Sequence, residues 1–140
     1  MAQQPDNAPN GQILNIIWAS MLASPVMIAL PVHFFAGMAG IGGMAADTDI
    51  WFLAGGLAAA VISLPMMRRF REAVALPRGM QRDAAYWQRV TAAMMPGLAV
   101  AELPFFIGFA GYLAGGFVET GAVLLIVTLA LQTRFKPPAS

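Results

Sequence analysis

The chain contains no cysteine among its 140 residues, and charged side chains are scarce. The lack of cysteine excludes disulfides, thiolate metal sites and cysteine nucleophiles. Charged residues make up 11% of the chain, against about 25% in soluble domains. Hydrophobic residues make up 59%, which is typical of a membrane protein. The net charge of +1 gives no reason to expect a nucleic-acid partner.

Basic residues are missing from most of the chain. The eight that are present lie in one internal segment (Arg68, Arg69, Arg71, Arg78, Arg82 and Arg89) and at the C-terminal end (Arg134 and Lys136). Elsewhere the sequence contains four apolar runs, at residues 13–36, 50–67, 90–114 and 117–133. A helix needs roughly 20 apolar residues to cross a bilayer core of about 30 Å. We therefore predict an all-α fold, a bundle of four transmembrane helices.

The distribution of charge also predicts how the spans are oriented. Short cytoplasmic loops collect Lys and Arg, so residues 68–89 and both termini are expected in the cytoplasm. The two opposite loops hold only acidic charges, Asp47, Asp49 and Glu119. We predict a multi-pass protein of a bacterial inner membrane. Its organisation is a polar N-terminal tail, one membrane domain and a short C-terminal tail, at residues 1–12, 13–136 and 137–140.

The arginine-rich segment 68–89 has two interpretations. In the first it is a continuation of the second helix, a turn around residues 77–79 and an interfacial start to the third span. In the second, its six arginines form a cytoplasmic basic surface that binds a partner protein or anionic lipid headgroups. The sequence favours the first interpretation and leaves the second open.

The chain has the pattern of two tandem helical hairpins, each with a long first helix and a shorter second one. Moving the first span onto the third aligns Ser24 with Glu102 and Ala36 with Ala114. Functional sites in repeated membrane folds lie at the interface between the repeats. This alignment predicts that Ser24 lies near Glu102.

Glu102 is the only charged residue in the third apolar run, and it stands near the middle of that run. An ionisable residue at such a depth is a candidate for a functional site. Pro104 removes the helical hydrogen bond to the Val100 carbonyl, and in a membrane that carbonyl needs another partner. Three roles remain open for Glu102: a neutral group that fixes helix packing, a carrier of a proton or cation, or a contact with a partner.

Several other residues are candidates for packing or chemistry. Small residues on the second and third spans allow close helix packing within the bundle or between subunits; these are Gly55, Gly56, Gly108, Gly111 and Gly115. His33 is the single histidine and is expected to be an interfacial or packing residue. No metal site and no cofactor are predicted. No serine has a base beside it, so an enzyme is not expected.

The second half of the chain resembles a widespread type of small bacterial four-span membrane protein without an assigned activity. The similarity rests on Tyr86, Glu102, the phenylalanines that follow it, the glycine pair Gly115–Gly116 and the basic, proline-containing end. AELPFFIG, residues 101–108, is also similar to the carboxylate-bearing helix of the proteolipid c-subunits of rotary ATPases. That second resemblance implies an ion-binding role for Glu102.

The function predicted from the sequence is non-catalytic. We expect an accessory or scaffold subunit of a larger membrane complex or of a homo-oligomer, whose partners are the lipid bilayer and either other membrane subunits or further copies of itself. The alternative is a proton- or ion-binding proteolipid that uses Glu102.

Overall fold

The computed structural model describes residues 10–39, 42–77 and 80–139. Within these ranges the chain forms four α-helices and no strand: α1 (Gly11–Ala39), α2 (Asp49–Val74), α3 (Ala84–Gly115) and α4 (Val118–Thr133). A single turn of 3₁₀ helix, Ala46–Thr48, precedes α2. The prediction of an all-α helical bundle is confirmed. The predicted tail residues 1–9, as well as Arg78, Gly79 and Ser140, lie outside the described residues.

The helices continue beyond the apolar runs at one end of the bundle. α2 extends to Val74 and α3 begins at Ala84, so much of the segment predicted as a loop at 68–89 is helical. Phe70, Tyr86 and Trp87 are buried there, while the arginines of the same turns are exposed. An apolar run ends at the first charged residue, whereas an amphipathic helix continues past it. We call this end, where α2 ends and α3 begins, the arginine end of the bundle.

Side chains close the short connection between α2 and α3. The Asp83 side chain accepts a hydrogen bond of 2.8 Å from the Tyr86 backbone N–H and caps the start of α3. The Tyr86 hydroxyl donates at 3.1 Å to the Val74 carbonyl at the end of α2. These bonds satisfy backbone groups that a helix terminus leaves without partners. They also hold the two helices in register at the arginine end.

α3 is the central helix of the bundle. It has its most extensive contact with α2, packs along α4, and is also touched by α1. α1 lies against α3 and α4. The helix lengths, 29 and 26 residues followed by 32 and 16, keep the predicted order of long then shorter. The predicted second hairpin, α3 with α4, packs together. In the predicted first hairpin α2 packs mainly on α3 and not on α1.

α4 is shorter than the other helices, and the C-terminal segment continues beyond it along the bundle. A helix of 16 residues is about 24 Å long. Phe135 follows α4, is completely buried, and packs on Phe70 with ring centroids 5.4 Å apart. Farther on, the Arg82 guanidinium donates to the Ala139 carbonyl. Residues 135–139 are therefore part of the packed domain at the arginine end.

The opposite end of the bundle is closed by a tight turn between α3 and α4. Gly116 adopts a left-handed conformation, with φ of 71°, and its N–H donates to the Tyr112 carbonyl at 2.9 Å. Glycine adopts this geometry without steric cost, which explains its position directly after α3. The Met44 N–H donates at 3.3 Å to the Ala114 carbonyl. The loop between α1 and α2 is thereby attached to the end of α3.

Candidate functional site

Glu102 is half-buried on α3, and its partner is a side chain of α4. Gln132 Nε2 donates a hydrogen bond to Glu102 Oε1 at 3.2 Å. Gln132 is completely buried in the last turn of α4. Its backbone carbonyl accepts a second hydrogen bond, of 2.8 Å, from Trp18 Nε1 on α1. Gln132 therefore joins three helices, α1, α3 and α4.

The helical repeat of α4 explains how Gln132 comes to face α3. Leu124, Thr128 and Gln132 are four residues apart, a spacing that places side chains on one face of a helix. All three are completely buried. This stripe packs on the α3 surface that contains Gly108, since an added Cβ at Gly108 would meet Leu124 at 2.8 Å. The absence of a side chain at Gly108 brings α4 close enough for Gln132 to reach Glu102.

Two buried oxygen atoms of the α4 stripe have no hydrogen-bond partner among the described residues. They are Thr128 Oγ1 and Gln132 Oε1. Leaving a buried polar group without a partner costs about 1–3 kcal/mol. Amide and carboxyl oxygens, such as those of Gln132 and Glu102, are among the ligand types preferred by hard cations. The interior of the bundle is therefore more polar than its apolar runs indicate.

Ser24 and Pro104 are the other two residues predicted at the Glu102 site. Ser24 is half-buried on α1 and forms no hydrogen bond with Glu102 in the described part of the chain. Pro104 is completely buried on α3. The sequence predicted Ser24 of the first helix near Glu102, and the hydrogen bond that the structure gives to Glu102 comes from the amide of Gln132. The signal for Gln132 was its place in one stripe with Thr128, inside the fourth apolar run.

The glycines predicted to mediate packing all face residues of the same chain. An added Cβ at Gly56 would lie 2.4 Å from Leu124, and one at Gly111 would lie 2.8 Å from Phe52. Gly115 is similarly crowded by Phe117, and Gly55 is in ordinary contact range of Ile107 at 3.7 Å. These close approaches lie within the bundle. They leave other surfaces for any contact between chains.

His33 forms a polar contact near the end opposite the arginines. Its Nδ1 lies 2.8 Å from the Tyr112 hydroxyl, joining α1 to α3. Both residues line a cleft of about 220 Å³ between α1, α3 and α4, whose other walls are apolar. Close to the same end, the Thr120 hydroxyl of α4 donates to the Asp49 carboxylate of α2. Neither pairing was predicted from the sequence, because each joins residues on helices far apart in the chain.

The predicted basic surface is present in part within the described residues. Arg68, Arg69, Arg71, Arg82 and Arg89 are exposed at the arginine end, whereas Arg78 lies outside the described ranges. Arg68 forms an ion pair of 3.0 Å with Glu72, one turn later on α2. The Arg89 guanidinium lies 5.7 Å from the centre of the Tyr86 ring, within range of a cation–π interaction.

The described residues include no group of three His, Cys, Asp or Glu side chains that could hold a metal ion. Comparison with protein families, curated proteins and solved structures finds no match to the chain.

Proposed function

We propose that the protein is a non-catalytic integral membrane protein that serves as an accessory or scaffold subunit of a larger assembly. The observation that supports this function most directly is the surface of α1. The most apolar stretch of α1 has a mean hydropathy of 2.0, and only 11% of it is buried within the protein. The helix with the highest hydropathy is thus the one that the bundle covers least. In an assembly, this surface contacts a helix of a neighbouring chain.

Length and composition support a membrane location. Three helices within the described residues, α1, α2 with its preceding turn, and α3, are long and apolar enough to span a membrane. α4 is too short to be counted with them, and in our proposal its crossing is completed by the C-terminal segment that contains Phe135. The arginine end faces the cytoplasm because cytoplasmic loops collect basic residues, and we assign the protein to a bacterial inner membrane.

The partner surface in this proposal is the exposed side of α1. Large apolar side chains are displayed there, with Met27 at 71% and Phe34 at 68% exposure. Lipid alone can cover such side chains. α1 also packs less extensively on α3 and α4 than the other three helices pack on one another, which favours a protein neighbour. A neighbouring helix would supply the packing that the bundle itself does not.

A crosslinking experiment tests this surface directly. Since the chain has no cysteine, Met27→Cys and Phe34→Cys each introduce a unique thiol that can carry a benzophenone photocrosslinker in native membranes. The matched control is Ile126→Cys, on α4, because Ile126 is also apolar and 66% exposed. We expect a discrete protein adduct from both α1 positions and only lipid adducts from Ile126→Cys. The same pattern from all three positions would contradict the proposal.

A second candidate function is a proton- or ion-binding proteolipid that uses Glu102. The unpartnered oxygens of Thr128 and Gln132 favour it, because they lie on the α4 face that meets Glu102. A hydrophobic carbodiimide tests this alternative. Labelling of Glu102 that depends on pH, together with loss of ion flux in Glu102→Gln, would support it. Unchanged flux in Glu102→Gln would eliminate it.

A further inference from the structure

A groove of about 420 Å³ lies between α2 and α3 at the arginine end. Its walls combine two kinds of surface. Met66, Ala93 and Pro96 provide apolar contacts, and we call these three residues the apolar wall. Arg69 of α2 and Arg89 of α3 provide positive charge from the two sides. The groove is therefore amphipathic, with cations beside a hydrocarbon surface.

The charge inside the groove is positive although an acidic residue also lines it. Glu72 is the acidic lining residue, and its carboxylate is paired with Arg68, which does not line the groove. Arg89 is positioned by its contact with the Tyr86 ring. Arg69 has no ion pair among the described residues. Two arginines are thus available to an anion, and arginine binds phosphate oxygens through several N–H donors at once.

A residue that lines the same groove has a backbone carbonyl without its helical hydrogen bond. Pro96 has no N–H, so α3 lacks the helical hydrogen bond that would otherwise reach the Ala92 carbonyl. Ala92 is itself a lining residue. A ligand with a phosphate and a nearby hydroxyl could use both the arginines and this carbonyl. A ligand with an apolar chain could in addition cover the apolar wall.

We propose that this groove binds one molecule of an anionic glycerophospholipid with a hydroxylated head group, such as phosphatidylglycerol. Its phosphate lies between Arg69 and Arg89, its head-group hydroxyl donates to the Ala92 carbonyl, and one acyl chain follows the apolar wall. Basic pockets between membrane helices are known to bind anionic lipid head groups on the cytoplasmic side. The inference rests on the membrane location in the proposed function, and it adds a defined lipid at a defined site.

Titration of the purified full-length chain with lipid tests the site. Native mass spectrometry would count bound phosphatidylglycerol, with phosphatidylcholine as the zwitterionic comparison and glycerol 3-phosphate as the head group without acyl chains. We expect a one-to-one adduct with phosphatidylglycerol at low lipid concentration, and none with the other two. A basic residue near an anionic lipid contributes about 1 kcal/mol, so Arg69→Gln and Arg89→Gln should each weaken binding about five-fold.

Two matched controls, Arg71→Gln and Ala99→Leu, distinguish a specific lipid site from general attraction between charges. Arg71→Gln removes the same charge from α2 at an exposed position that does not line the groove, and should leave the affinity nearly unchanged. Ala92→Leu fills the groove without a change of charge and should abolish the adduct. Ala99→Leu makes the same change at an exposed α3 position outside the groove, and should have no effect.

Three results would overturn the proposal. Equal weakening by Arg71→Gln and Arg69→Gln would mean that the lipid responds only to the overall charge. Equal binding of phosphatidylcholine would show that neither the net negative charge nor the head-group hydroxyl is recognised, and equal binding of glycerol 3-phosphate would show that the acyl chain is not. Retained binding in Ala92→Leu would place the lipid elsewhere. The purified chain has no partner subunit and no membrane with two distinct sides. Failure of this proposal would therefore not bear on the accessory function or on the orientation, which are tested separately.

Discussion

Gln132 donates a hydrogen bond to Glu102 at 3.2 Å and so joins the end of α4 to the middle of α3. Glu102, the only charged residue of the third apolar run, is therefore part of a contact between two helices. The same glutamine accepts from Trp18 through its backbone carbonyl. The proposal that Glu102 fixes packing follows from this arrangement, in which a single carboxyl oxygen is held by a neutral amide.

Substitutions of the pair separate packing from ion binding. Glu102→Gln keeps a carbonyl oxygen that accepts from Gln132, so we expect the free energy of unfolding to change by less than about 0.5 kcal/mol. Gln132→Glu keeps the size of Gln132 but replaces the amide donor with a carboxyl group, so the Glu102 carboxyl loses its donor and meets a second carboxyl, which should cost about 1–3 kcal/mol. Unfolding in mixed micelles, followed by circular dichroism, measures both. Equal losses in the two variants would contradict the packing role.

The contact between Gly97 and Phe135 predicts a clash on adding one methyl group. An added Cβ at Gly97 would lie 2.2 Å from the Phe135 ring, and that ring is completely buried. We expect Gly97→Ala to destabilise the protein by about 1–3 kcal/mol, since overpacking displaces neighbouring side chains.

Gly55→Ala is the control for this clash, because its added Cβ would be in ordinary contact at 3.7 Å. It should have no more than a small effect in the same unfolding assay. The double variant Gly97→Ala/Phe135→Leu replaces the ring with a smaller side chain and should recover part of the lost stability. If Gly97→Ala were as stable as Gly55→Ala, the C-terminal segment would not be packed on α3 as described.

α1 is attached through two side-chain hydrogen bonds, one near each end. Trp18 Nε1 bonds to the Gln132 carbonyl, and His33 Nδ1 to the Tyr112 hydroxyl. Trp18→Phe and Tyr112→Phe each remove one bond, at a cost of about 0.5–1.5 kcal/mol, and the sites are far enough apart for the effects to add. Amide hydrogen exchange should become faster in α1 and remain unchanged in α2. Uniformly faster exchange would contradict a separate attachment of α1.

The sequence predicted the helices better than it predicted their contacts. Apolar runs and the arginine cluster located four helices because each signal is local to a few turns. The partner of Glu102 was not predicted, since a pairing between residues 102 and 132 depends on the rotation and axial position of two packed helices. Phe135 lies beyond the fourth apolar run, between Arg134 and Lys136, and its burial was not predicted. Its burial depends on Gly97, which is distant in the chain.

Cysteine labelling tests the proposed orientation in the membrane. Asp47→Cys and Gln81→Cys place single thiols at exposed positions at opposite ends of the bundle. In intact cells with a permeabilised outer membrane, a membrane-impermeant maleimide should label Asp47→Cys at once. It should label Gln81→Cys only after the inner membrane is opened, because the arginine end faces the cytoplasm. The reverse order would show that the orientation is wrong.

The most direct test of the accessory function is the composition of the complex purified from native membranes. The full-length chain, tagged and expressed at its natural level, is isolated under mild conditions, and the co-purifying membrane proteins are quantified relative to it. We expect a fixed stoichiometry with a membrane subunit or with further copies of the chain, unchanged in Glu102→Gln. A lone monomer that carries an ion flux dependent on Glu102 would contradict it.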